Sequence, residues 1–488
     1  MSLTNFVKRL QDIMRNDAGI NGDAQRIEQI VWILFLKVYD AKEEIWEFHD
    51  NNYCSIIPEN LRWRNWAVDR KDGKALTGES LLTFINNELF PSLKSLEIDD
   101  TTPMSKAIVK YIFEDSHNYQ KDGVLLRQVV NIIDEIDFGE YEDRHAFGEI
   151  YETILRTLQS AGNAGEFYTP RAVTDFMVKI VNPILGESIG DFACGTGGFL
   201  TSSLKVLEGQ VNTVADRNKY NTSIYGIEKK PLPYMLCTTN MLLHDIDNPN
   251  IIHANSLERR VQDYTQEDKF DIILMNPPYG GNEKDSIKIN FPADLQCSET
   301  ADLFMAVIMY RLKDNGRAAV ILPDGFMFGT EGAKLALKKK LFSEFNVHTV
   351  VRLPHSVFAP YTSITTNILF FDKTGATKST WFYRLDMPEG YKNFSKTKPM
   401  KLEHFTPVFE WWNDRKEINI DGFDKSKEFS IKELEESNFD IDLCGYPHDE
   451  EVILPPDELI KDYQEKRASL NSDIDRILGD ITRILGIK

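Results

Sequence analysis

Cysteine is scarce in this sequence, and its five residues (Cys54, Cys194, Cys237, Cys297, Cys444) are scattered, with no C-x-x-C pair among them. That spacing speaks against both a disulfide framework and a zinc site. The nine histidines form no H-E-x-x-H pattern, so no metal centre is expected. Long apolar runs are missing too. The longest, "IVWILFL" over residues 30–36, falls far short of the roughly 20 residues a bilayer span needs, and no membrane helix is expected. The start, "MSLTNFVKRLQDIMRND", lacks the basic, apolar and small-residue succession of a secretory signal, which makes cytoplasm the expected compartment. Basic charge is in deficit as well, with 56 Lys and Arg against 76 Asp and Glu and a formal charge of -20. A protein gripping nucleic acid unaided is expected to carry a basic footprint, because phosphate neutralisation supplies much of the affinity. If nucleic acid is the substrate, a local basic groove or a second subunit must hold it.

What is present suits a multi-domain globular protein: 488 residues exceed what one compact core accommodates. Residues up to about 145 read as helical, since "AQRIEQIVWILFLKVYDAKEEIW", "GESLLTFINNELF" and "GVLLRQVVNIIDEI" place apolar residues at i, i+3, i+4 and i+7. Between them "RWRNWAVDRKDGK" interleaves arginines with Trp63 and Trp66. Such a mixture either contacts nucleic acid or anchors a core with a charged rim. From about 165 to 375 short β-rich runs alternate with helical segments: "SIGDFAC", "SIYGIE", "IIHANSL", "FDIILMN", "GRAAVILP", "VHTVVRLP" and "TNILFFDK". Alternation of this kind predicts a mostly parallel sheet covered by helices, with ligands at the carboxyl ends of its strands. After residue 375 the chain turns polar and irregular. It ends in a helical stretch where positions 460, 463, 467, 470, 474, 477, 481 and 484 keep a 3-4 spacing, apolar except for Arg467. That face packs either on its own domain or on a partner helix.

The chemistry-bearing residues cluster in the alternating region. "DFACGTGGFL" follows a candidate strand, and Gly195, Gly197 and Gly198 let the backbone pass close to a ligand while the next helix offers free N–H groups. The spacing is neither the G-x-G-x-x-G dinucleotide fingerprint nor a triphosphate loop. Glu228 closes the next strand, where its carboxylate can accept from two ribose hydroxyls, and Asn255 ends a third, where its amide can read an adenine edge. "NPPY" follows the fourth. Its two prolines stiffen the backbone and hold the carbonyls of Asn276 and Pro277 open, so an exocyclic amine can donate to the Asn276 side-chain oxygen and to a backbone carbonyl. Tyr279 supplies a stacking ring. A plain structural turn is the competing explanation of this tetrapeptide.

With "DFACGTGGFL", "NPPY" and the upstream "GEFYTP" in one domain, the chain resembles the S-adenosylmethionine-dependent N6-adenine DNA methyltransferases, and within them the modification subunits of type I restriction-modification systems. The segment "ADLFMAVIMYRLKDNGRAAVILPDGFMF" and "PYTSITTNILFFDK" add to the likeness. The resemblance implies a Rossmann-like α/β methyltransferase sheet with an N-terminal helical domain (1–145), a catalytic domain (146–375), an irregular mixed extension (376–450) and a C-terminal helical arm for partner docking (451–488). Cofactor contacts would come from Glu166, Phe167, Tyr168, Thr169, Pro170, Arg171, Thr196, Gly197, Gly198 and Glu228, with Asp191 and Gly195 shaping the loop, and Asn255 joins them from the reading above. Asn276, Pro277, Pro278 and Tyr279 would hold an adenine flipped from double-stranded DNA for direct transfer, which leaves Cys194 without a nucleophilic role. The resemblance also implies a specificity subunit embraced by two modification subunits, and a restriction nuclease subunit in the full assembly. Cytosine N4, and the glutamine or RNA-base amines on which other Asn-Pro-Pro-Tyr enzymes act, are the rival acceptors.

Overall fold

The computed structural model describes residues 3–136, 151–155, 168–395, 397–446 and 456–485. Glu166 and Phe167 lie outside the described residues. Two units are distinguished, Met1–Gly445 and Tyr446–Lys488.

The larger unit is organised on one sheet, in which β1 (Ile189–Asp191), β2 (Ile224–Glu228), β3 (Ile251–His253), β4 (Phe270–Met275), β5 (Leu312–Pro323), β6 (Asn346–Arg352), β7 (Thr366–Asp372), β8 (Ser379–Arg384), β9 (Ile418–Ile420) and β10 (Phe423–Ser430) are arranged as β3-β2-β1-β4-β5-β7-β6-β8-β10-β9. Strands β3, β2, β1, β4 and β5 are parallel, and β7 runs antiparallel between β5 and β6. The central strands are buried on both faces, which is why they read as unbroken apolar runs. Along β4, Ile272 and Leu274 enter one hydrophobic cluster while Ile273 and Met275 enter the other, and Ile368 and Phe370 against Leu369 and Phe371 do the same on β7. Alternate side chains thus feed two separate cores.

One of those cores is shared with the amino-terminal helices. Trp32, Leu34, Trp63 and Phe113 belong to the same cluster as Ile189 and Ile272. Helix Gly22–His49 packs on helix Pro231–Leu243, so its middle is buried nearly all round. Lys42 closes the contact, its Nζ standing 2.6 Å from Asp245 and 3.2 Å from Asp247. The arginine and tryptophan segment proves to be a core anchor. Trp63 and Trp66 are buried, and the Trp63 indole donates to Asp134 at 2.8 Å. Arg62 and Arg64 pair with Glu47, and Arg64 also with Asp40, all on helix Gly22–His49.

Residues 376–446 correct the expectation of an irregular extension, because β8, β10 and β9 continue the sheet. β10 sits next to the edge strand, and "FDKSKEFS" buries Ser426 alone. Polar residues on strands near an edge hide the period that betrays central ones.

The smaller unit contributes helix Pro456–Leu485. Ile460, Tyr463, Leu470, Ile474, Ile477 and Ile481 are each between 45% and 64% exposed, so their shared stripe is uncovered. No described helix is long and apolar enough to cross a membrane.

Candidate active site

The order of the sheet reverses between β1 and β4, and the carboxyl ends of these neighbours open into two loops facing one crevice. A cavity of about 310 Å³ lies there. Its wall includes Asp191, Gly195, Thr196 and Gly198 from the first loop, Glu228 from the end of β2, Asn255 after β3, Asn276 to Tyr279 after β4, and Tyr168 with Thr169 from the strap that precedes helix Arg171–Val181. Most of the residues singled out in the sequence therefore share one wall.

Among the described residues, three of them do not. Pro170 and Arg171 line an adjacent cavity of about 280 Å³ that shares Tyr168, because the Arg171 Nε is held at 2.7 Å by Glu152. Gly197 faces backwards. Its φ of +79° suits a residue without a side chain, and an added Cβ would stand 2.9 Å from the Cys237 Sγ. With Gly195 at φ +53°, the loop turns sharply enough to start helix Gly198–Glu208 directly at the cavity.

The acidic residues brace this loop from below. Glu228 accepts from the backbone N–H of Gly195 at 2.9 Å and of Lys230 at 2.7 Å, one on each carboxylate oxygen. Asp191 is buried, which pushes its carboxyl up to about 8; the N–H donated by Ala193 acts the other way, and the charge of Glu228 adds to the rise. Asn255 turns onto its own loop: its Oδ1 accepts from the Leu257 N–H at 3.2 Å, and its amide reaches Glu258 at 3.4 Å. Behind the glycines the Cys194 thiol is pushed well up by its contact with Cys237 and by burial, which suits an inert core group.

In the NPPY loop the Asn276 Nδ2 donates to the Thr169 Oγ1 at 3.1 Å. Its Oδ1 is buried and has no hydrogen-bond partner. A buried acceptor left open costs about 1–3 kcal/mol, and on a cavity wall it marks where a donor belongs. Pro277 is buried and Tyr279 half-buried, with burial and the neighbouring Tyr361 raising the Tyr279 hydroxyl above its ordinary range. The loop is pinned beyond the tyrosine, where the Gly280 N–H donates to Glu299 at 2.8 Å and a Cβ on Gly281 would meet the Thr300 Oγ1 at 2.4 Å. Sequence reasoning missed these braces, and also Phe304, Phe358 and Tyr361, which complete the wall. Aromatic residues in the turn-rich "PHSVFAPYTS" were the available signal for the last two.

The N-6 DNA methylase family profile matches residues 142–452, most of the chain and the whole of this crevice. The chain belongs to the N-6 DNA methylase family. The HsdM N-terminal domain profile matches residues 3–133 of this methylase. It is 49% identical to the type I restriction enzyme EcoEI methylase subunit of Escherichia coli over 96% of both chains. Identity to the MpnII methylase subunit of Mycoplasma pneumoniae is 28%, over 73% of this chain and 68% of that one. A solved chain from work on complex assembly and conformational transition of the type I R-M system superposes with a TM-score of 0.81 at 33% identity, covering 100% of this chain and 99% of that one. This methylase is thus of the type I modification kind, and membership of the family implies S-adenosylmethionine as methyl donor.

Proposed function

We propose that this N-6 DNA methylase moves a methyl group from S-adenosylmethionine to N6 of an adenine flipped out of double-stranded DNA, in the crevice between β1 and β4. One observation carries the assignment of roles: the Asn276 Oδ1 is a buried, unpartnered acceptor on the wall that also contains the glycine loop.

The cradle fits the donor. Gly198 lines the cavity at the start of its helix, and a side chain there would crowd the Arg171 Nη1 at 3.0 Å. Glu228, at the end of β2 on the cavity wall, accepts from ribose hydroxyls, and Asp191 and Gly195 hold the loop's shape. When bound, S-adenosylmethionine supplies an electrophilic sulfonium methyl. The protein's own work falls to Asn276, whose Oδ1 accepts one N–H of the adenine amine, and to the rigid Asn276-Pro277-Pro278 backbone, which offers a carbonyl to the other. Both contacts strengthen as positive charge grows on the nitrogen, so they favour the transition state over the ground state. Tyr279 stacks on the base. Cys194, buried behind the loop, takes no part. The deciding experiment incubates the assembled enzyme with labelled S-adenosylmethionine and DNA, then identifies the modified base. N6-methyladenine is expected, whereas N4-methylcytosine, or label on RNA or protein glutamine, would reject the acceptor.

The charge of -20 supports a divided assembly, in which a specificity subunit held by two copies of this chain grips the DNA and a restriction nuclease subunit joins the full complex. The uncovered stripe of helix Pro456–Leu485 is its docking element for the specificity subunit. Deleting residues 457–488 is expected to abolish copurification with that subunit while the remaining chain still binds S-adenosylmethionine. Undiminished complex formation by the truncated chain would refute this docking role.

A further inference from the structure

Resting on that assignment, we infer that Glu152, upstream of the sequence motifs, is a positioning residue that holds the Asn276 side chain in place for the adenine. Its own element is firmly held. In the helical segment 151–155, Tyr151, Ile154 and Leu155 are fully buried, and the Tyr151 hydroxyl donates to the Leu236 carbonyl at 2.8 Å. From this anchor Glu152 reaches the strap at two points: Oε1 accepts from the Tyr168 hydroxyl at 2.7 Å and Oε2 from the Arg171 Nε at 2.7 Å. The second is an ion pair whose side chains are only 22% and 16% exposed, so it is weakly screened.

Thr169 lies between the two clamped residues, and its Oγ1 is the acceptor for the Asn276 Nδ2. The bond from the Asn276 Nδ2 leaves Oδ1 without a partner, ready for a donor. The threonine hydroxyl can both donate and accept, so what it fixes is the place of the amide, while the adenine amine, a donor, selects the oxygen end. A strap clamped at Tyr168 and Arg171 keeps that anchor where the contact needs it. Glu152 touches neither base nor methyl donor and acts through Tyr168, Arg171 and Thr169.

The test uses the enzyme assembled with its specificity subunit and DNA, with single-turnover methyl transfer at saturating cofactor as one readout and S-adenosylmethionine affinity as the other. Glu152→Ala is expected to slow transfer about tenfold while the dissociation constant stays within about threefold, as a misplaced reacting partner does. In an Asn276→Ala background the same change is expected to cost less than about twofold, because two residues acting on one contact are not additive. Losses that multiply in the double variant, or a loss residing wholly in cofactor affinity, would overturn the inference. If Glu152→Ala fails to fold, Thr169 supplies the test. Thr169→Val should slow transfer as Glu152→Ala does, Thr169→Ser should restore it to within about threefold by returning the hydroxyl, and full activity in the valine variant would overturn the inference. A wild-type complex that modifies no adenine would instead fail the assignment beneath it.

Discussion

Asn276→Ala lowers the single-turnover rate of methyl transfer by about 10²–10³-fold and leaves S-adenosylmethionine affinity within about threefold. The reasoning is geometric. Asn276 shares the cavity wall with the glycine loop, but its side chain bonds to Thr169, and its open oxygen is the group proposed to take the adenine amine. Removing it deletes an acceptor that is most valuable when the nitrogen becomes cationic, so the loss falls on the chemical step. The contacts proposed for the cofactor fall to Glu228 and the glycine loop, so none of them is lost. Rapid-quench transfer alongside equilibrium cofactor binding separates the two effects. Normal turnover at saturation with weakened binding would move Asn276 out of the proposed role.

Gly197→Ala raises the dissociation constant for S-adenosylmethionine by about 10–100-fold, the largest binding effect expected of any single methyl addition here. Left-handed backbone costs an L-residue about 1–2 kcal/mol, and at φ +79° this position incurs it. The new methyl also meets the Cys237 Sγ at 2.9 Å and the Met241 Cε at 3.1 Å, both on the buried helix Pro231–Leu243. Since close-packed interiors yield little, the loop must move toward the cavity. Gly280→Ala is the control. Its φ of +74° is comparable but its Cβ would enter open space, so only the backbone cost remains and cofactor affinity should stay near that of the unaltered chain. Titration calorimetry on the two variants measures the difference, and equal affinities would show that the loop does not govern binding.

Much of this was legible in the residues themselves. "FDIILMN" and "TNILFFDK" announced β4 and β7 because both faces of those strands are covered, and apolar side chains are needed at every position. The glycine loop and NPPY were found because a tight turn and a proline pair leave a local signature. Glu152 was not found, since a lone glutamate gains its meaning only when the chain brings it to Tyr168 and Arg171, 16 and 19 residues on. Arg171 was read as a pocket residue on the strength of its neighbours; its Nε pairs with Glu152, and its Nη1 lies beside Gly198. β10 escaped for a different reason: next to the sheet's edge it keeps its backbone pairing but drops the apolar alternation that makes a strand visible. β8 does carry Trp381, Phe382 and Tyr383, a short apolar run set in polar surroundings.

Helix Pro231–Leu243 stands between the glycine loop and the amino-terminal helices. Cys237 and Met241 lie within about a van der Waals contact of Gly197, and the same helix takes the packing of Gly22–His49, whose Lys42 ties it to the acidic turn at Asp245 and Asp247. The amino-terminal helical block and the methyl-donor pocket are thus rooms with a common partition, one helix thick, or about 8–10 Å between axes. Packing contacts therefore run from the outer helix to the glycine turn without passing through the sheet at all.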